Sequence, residues 1–128
     1  MPTGICLAAG ALHAFVAASG FTLAWTHSIE KIRWEEDYRV EGATLRLIEA
    51  RIRGTGAGME PPPGSVLRAG VWHYRPAIPS LPRLLLARST YTRDYELCVP
   101  GARCKSLGAW IPVSAGTTTV TPCEKPAG

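Results

Sequence analysis

Trp34-Glu35-Glu36-Asp37-Tyr38-Arg39-Val40-Glu41-Gly42-Ala43-Thr44-Leu45-Arg46-Leu47-Ile48-Glu49-Ala50-Arg51-Ile52-Arg53 is the stretch on which the fold turns. Trp34, Glu36, Tyr38 and Val40 share one parity, and Glu35, Asp37, Arg39 and Glu41 share the other. That period of two belongs to a strand, because successive side chains of an extended chain leave opposite faces. One face is expected to be mostly apolar and the other wet. Glu36 is the exception on the apolar side, where an unpaired carboxylate is expensive. Glu41-Gly42 supplies a turn, and a return strand is expected over residues 44–53. Its apolar parity changes between Leu47 and Ile48. A β-bulge there gives an inward set of Ile48, Ala50 and Ile52 and leaves Glu49, Arg51 and Arg53 outward.

Moving upstream, Phe21, Leu23 and Trp25 alternate with Thr22, Ala24 and Thr26, which predicts a strand with three bulky groups on one face. Residues 5–8 and 12–17 are small and apolar with Gly10 between them, which predicts a hairpin. Downstream, the glycines and three consecutive prolines of residues 54–64 exclude helix and central strand and predict a long, shaped loop. A second Pro-rich crossing, residues 76–82, follows Val71-Trp72-His73-Tyr74 and leads to Leu84-Leu85-Leu86-Ala87, which reads as a short buried strand. A hairpin is expected around Pro100-Gly101, pairing residues 95–98 with 103–107, and a last strand near residues 117–121. The fold class expected is therefore all-β and mostly antiparallel, a small β-sandwich or barrel-like domain with long Gly/Pro-rich loops.

The chain has 128 residues, 46% hydrophobic and 19% charged, so residues 1–128 are expected to form one domain around one core rather than a disordered segment. Fourteen basic residues against ten acidic give a net charge of +4, but the basic side chains are scattered among acids. A nucleic-acid partner, which needs a concentrated basic face, is not expected. Residues 1–29 carry no charged side chain apart from the histidines His13 and His27, and Gly10, Ser19, Gly20 and Thr22 interrupt the apolar run, so no membrane span is read there. Met1-Pro2-Thr3-Gly4 lacks the positive start of an export signal, which makes the cytoplasm the default compartment and the periplasm the alternative.

Four cysteines leave three readings open. Cys98 and Cys104 flank the Pro-Gly turn and Cys6 and Cys123 lie near the chain ends, so both pairs are disulfide candidates. Four thiols in a reducing cytosol, or a zinc site without the usual knuckle spacing, are the others.

The candidate site is the polar corner where Thr26-His27-Ser28-Ile29-Glu30-Lys31 leaves one strand and Trp34-Glu35-Glu36-Asp37 enters the next. Imidazole and carboxylate together supply complementary proton states, so His27 with these acids can serve as acid and base or as metal ligands. The plainer reading is a satisfied network in which Glu36 pairs with Arg53 or Lys31. His27-Ser28 does not read as a nucleophile and base, since neighbours on a strand point apart. Gly54-x-Gly-x-Gly lacks the helix that a phosphate loop needs, and its better use is as a wall that lays Met59 and Glu60 against the corner. His13 and His73 are isolated and read as structural.

Phe-Thr-Leu-Ala-Trp-Thr-His-Ser-Ile-Glu-Lys from Phe21, Trp-Glu-Glu-Asp-Tyr-Arg-Val from Trp34, Glu-Ala-Arg-Ile-Arg-Gly-Thr-Gly-Ala-Gly-Met-Glu-Pro-Pro-Pro-Gly from Glu49 and Leu-Ala-Arg-Ser from Leu86 resemble the bacterial family catalogued as domain of unknown function 1850. The likeness extends over nearly the whole chain, through Leu97-Cys98, Arg103-Cys104 and Pro122-Cys123, with Thr55 standing where the family has Ser. The resemblance implies no assigned activity. It implies an accessory role beside tripartite ATP-independent periplasmic (TRAP) transporters of the TAXI type, next to which family members are often encoded.

The expectation is thus a non-catalytic module, without cofactor, that binds a small organic anion or a TRAP transporter component. His27, Ser28, Glu30, Lys31, Trp34, Glu35, Glu36, Arg53, Met59 and Glu60 would line one face, with Arg53 and Lys31 holding the anion. A metal-assisted enzyme using His27 and the neighbouring carboxylates, and a structural protein–protein interaction module, are the alternatives.

Overall fold

The computed structural model describes residues 3–26, 32–53, 63–77 and 80–124. Strands dominate it: β1 Thr3–Ala9, β2 Leu12–Ala17, β3 Gly20–Thr26, β4 Arg33–Glu41, β5 Thr44–Arg53, β6 Val66–Arg68, β7 Val71–Tyr74, β8 Leu84–Leu86, β9 Glu96–Cys98, β10 Lys105–Ser106 and β11 Thr118–Glu124. Among the described residues the helical content is two short 3₁₀ turns, Leu107–Ala109 and Val113–Ala115, and no helix is long and apolar enough to cross a membrane.

The strands form two antiparallel sheets, ordered β2-β1-β11-β8 and β10-β9-β3-β4-β5-β7-β6. They pack as an open sandwich, not a closed barrel. The first and last strands of the chain, β1 and β11, pair from Thr3↔Glu124 to Ala8↔Thr119. A side-chain bond reinforces that pairing on the outer face, because Cys6 and Cys123 form a disulfide with Cα atoms 5.9 Å apart. A second disulfide, Cys98–Cys104, closes the Pro100-Gly101 turn. All four cysteines are thereby oxidised, in the two pairings that the chain order suggests.

Period-two patterning places the core. Ile5, Leu7 and Val120 from the small sheet meet Phe21, Leu23, Tyr38, Leu45, Leu47 and Leu97 from the large one, all under 8% exposed. Gly42 takes φ 60° at the first position of the two-residue β4–β5 loop, where a side chain would be strained. Gly4 is required by close approach: a Cβ there would lie 2.3 Å from the Val16 carbonyl oxygen and 2.7 Å from the Phe15 ring that covers it.

The return strand runs over Thr44–Arg53, and its register slips where Asp37 faces Glu49 and Tyr38 faces Leu47. Ile48 is the extra residue. The inward set is accordingly Leu45, Leu47, Ala50 and Ile52, and Ile48 is corrected to the other side, half-buried beside Thr22, Asp37 and Arg39. The Leu84–Leu86 run also departs from a fully buried strand. Leu84 and Leu86 point inward, while Leu85 is 63% exposed, because β8 is an edge strand with only one face on the core.

Candidate functional site

Register assembles two unlike surfaces on the two sides of β4. On the inner side, Glu36 lies between Leu23 of β3 and Ala50 of β5, with Tyr74 of β7 beyond Ala50. Trp34 lies between Trp25 and Ile52, and the two indoles stack with centroids 6.3 Å apart. Tyr95 tilts against Trp25 at 6.1 Å. Tyr38, one strand repeat from Glu36, donates its hydroxyl to the Glu36 carboxylate at 2.8 Å.

Where β8 crosses this inner face the sheets leave a cavity of about 320 Å³, lined by Glu36 with Trp25, Tyr38, Tyr95, Leu23 and the β8 leucines. Burial pushes the Glu36 carboxyl above the usual range, against the lowering effect of the Tyr38 hydroxyl. Burial likewise raises Tyr38, Tyr74 and Tyr95, and the Glu36 charge adds to each of these shifts. The expected Glu36–Arg53 pair does not form; Glu36 takes a tyrosine instead.

On the outer side of the same strand, Glu35 is 7% exposed, which corrects the reading of that parity as simply wet. Three guanidinium Nε atoms converge on its carboxylate, Arg33 at 2.8 Å, Arg51 at 2.9 Å and Arg53 at 3.1 Å. Cross-strand pairing makes this possible, because Arg51 is directly opposite Glu35 and Arg53 directly opposite Arg33. Burial alone would raise the Glu35 carboxyl, but the three arginines hold it down to about 2. The network extends outward. Arg51 also grips Asp37 at 2.6 and 2.8 Å and Glu49 at 3.0 Å, Thr22 donates to Asp37, and Arg33 reaches Glu96. Asp37 is lowered despite burial, through Arg51 and Thr22.

The four described members of the expected site are therefore split by the strand. Glu36 lines the cavity and Trp34 stacks on its Trp25 wall, whereas Glu35 and Arg53 lie on the far side of the sheet and bind each other. A single face holding all four is excluded by this geometry. His27, Ser28, Glu30, Lys31, Met59 and Glu60 lie outside the described residues. Among the described residues no group of three or more His, Cys, Asp or Glu is arranged to hold a metal ion.

The chemistry of Glu36 stands apart from that of the other acids. Asp37, Glu41, Glu49, Asp94 and Glu96, like Glu35, each have an arginine partner among the described residues, and Glu124 is exposed. Among the acids of the described residues, Glu36 alone is half-buried without an arginine or lysine partner. A wider depression of about 610 Å³ opens on the outer face between Thr22, Asp37, Arg39, Ile48 and the 98–102 turn. Its acid, Asp37, is already saturated by Arg51 and Thr22, so it offers a ligand less than the smaller cavity does.

One polar cluster carries no signal in the sequence pattern. The Arg88 side chain is fully buried and forms a two-pronged pair with Asp94 at 3.0 and 2.7 Å, with a further bond to the Thr118 hydroxyl at 3.0 Å. Asp94 also accepts from the backbone N–H groups of Tyr95 and Gly108. This pair fixes the crossing between β8 and β9 and so places Tyr95 on the cavity wall. Only the Leu-Ala-Arg-Ser run hinted that Arg88 mattered, and nothing in its spacing pointed to Asp94.

Compared with known proteins, the chain matches one family model, Domain of unknown function (DUF1850), over residues 21–120. No curated protein and no solved structure matches it.

Proposed function

The chain belongs to the DUF1850 family, and we propose that it is a non-catalytic accessory module that binds a small ligand in the cavity between its two sheets. The observation that carries this reading is the Glu36 carboxylate, held by Tyr38 and facing about 320 Å³ of space with no cation lining it among the described residues. A half-buried acid left without a cation among the described residues costs stability, and folds retain such costs where a site uses them. The aromatic and leucine walls give the shape and apolar lining usual for small-molecule sites. The arginine cluster on the other face supports a structural role there, since each of its guanidinium groups is occupied by carboxylates.

The accessory role beside a TAXI-type transporter rests on the gene neighbourhood that the family resemblance implies, and that is association rather than mechanism. Two disulfides support the periplasm as its compartment, because a reducing cytosol would open them. A thermal-shift screen of small amines, alcohols and carboxylates tests the binding reading, with NMR of the Trp25, Tyr38 and Tyr95 rings locating the site. A ligand at about 100 times its dissociation constant adds about 2.7 kcal/mol and moves those resonances. Stabilisation without movement of those rings, or no stabilisation by any class, refutes it.

A further inference from the structure

The cavity at Glu36 also specifies the charge of what enters it. Its polar groups are one carboxylate and the hydroxyls of Tyr38 and Tyr95, and no cationic side chain lines it among the described residues. The tyrosine bond satisfies one carboxylate oxygen, Oε1, and leaves the other available. An anion entering here would meet an uncompensated like charge in a partly dry site, which is costly. Arg33, Arg51 and Arg53 are across the sheet and engaged with Glu35, so they do not offset it.

A cation gains twice. It completes the carboxylate in a charge-assisted hydrogen bond, and it is attracted by aromatic rings within about 6 Å. Trp25 and Tyr95 supply such rings, backed by the Trp25–Trp34 stack. Leu84 and Leu86 close the opposite wall with apolar surface. The volume, about 320 Å³, lies at the small end of the range usual for small-molecule sites.

Resting on the ligand-binding reading above, we infer that the occupant is a small organic amine, its ammonium group on the Glu36 carboxylate and its apolar body between the aromatic wall and the β8 leucines. The sequence pattern alone favoured an organic anion held by Arg53 and Lys31. Arg53 is engaged with Glu35, and Glu36 has no cation among the described residues, which together favour a cationic occupant instead.

Two matched sets test the inference on the full, disulfide-bonded chain: phenethylamine, 2-phenylethanol and phenylacetate, and butylamine, butanol and butyrate. Calorimetry is expected to show an amine binding about tenfold or more tighter than its matched alcohol, with the carboxylate weakest. Glu36→Gln, which keeps the side-chain shape, is expected to bring amine and alcohol to the same affinity. If an alcohol or carboxylate binds as tightly as its amine while moving the Trp25 and Tyr95 resonances, the charge assignment is wrong and the cavity still binds ligand. If none of the six binds, or binding leaves those resonances unmoved, both the assignment and the binding reading fall. A preference for amines that persists in Glu36→Gln overturns the role given to Glu36.

Discussion

Replacing Glu35 with Gln keeps the shape of that side chain and removes the charge on which three arginines converge. The folded protein holds the Glu35 carboxyl at about 2, against an ordinary value of 4.5. Each pKa unit is worth about 1.4 kcal/mol, so the ionised form contributes about 3 kcal/mol to folding at neutral pH. Its exposure of 7% means that solvent screening takes little of this away. The sign follows from the folded value lying below the unfolded one. The contribution is complete above about pH 5 and is lost as pH falls from about 4.5 toward 2. Urea unfolding of wild type and Glu35→Gln, followed by tryptophan fluorescence at pH 7 and at pH 3, reads it directly. The two proteins are expected to differ by about 3 kcal/mol at pH 7 and by clearly less at pH 3. An equal gap at both pH values would show that the loss comes from packing rather than charge, and no gap at pH 7 would show that the arginines are solvated without Glu35.

Glu36 has the opposite sign. Its folded carboxyl lies above the ordinary value, so the stability it lends is full below the unfolded pKa and fades as pH rises through the folded one; Glu36→Gln is expected to flatten that part of the wild-type pH–stability curve, and an unchanged curve would count against its burial. Arg88→Ala leaves the half-buried Asp94 carboxylate without its cation and is expected to cost about 3 kcal/mol in urea unfolding, whereas a cost below about 1 kcal/mol would mean that the pair is solvent-screened. Removing the Cys6–Cys123 bond, with its 117-residue separation, is expected to cost about 5 kcal/mol on the chain-entropy scale, against about 2 kcal/mol for the 6-residue Cys98–Cys104 link; Ser replacements of each pair, compared by urea unfolding, would contradict this if the short loop cost more. Ala69 sits at φ 50° in the β6–β7 turn, so Ala69→Gly is expected to raise stability by up to about 1 kcal/mol, and a loss would show the turn unstrained.

How far the sequence carried this far depended on which residues answer to a local period. Alternation from Phe21 to Arg53 made β3, β4 and β5 legible, together with Glu36 as an acid on the wrong face, because strand parity is a property of neighbours in the chain. The burial of Glu35 was not legible. It depends on Arg51 and Arg53 arriving from the next strand in one register, after a bulge whose extra residue had to be located at Ile48. Arg88 and Asp94 were hidden for a related reason: their partners Thr118 and Gly108 come from distant segments, and no spacing rule links them. The cysteine pairings were one of three readings that the sequence left open, and strand pairing decides between them, since Cys6 and Cys123 sit on paired strands that a sequence shows only as two ends. The candidate corner mixed residues of both parities, and the sheet sorted its four described members into a charged, self-satisfied outer face and a cavity side whose acid has no cation among the described residues.

Titration of the Glu36 side-chain carboxyl by carbon NMR, with and without saturating phenethylamine, tests that sorting most directly. The midpoint is expected above the ordinary glutamate range in the free protein and markedly lower once the ammonium group is bound. A midpoint in the ordinary range that the amine leaves in place would contradict it.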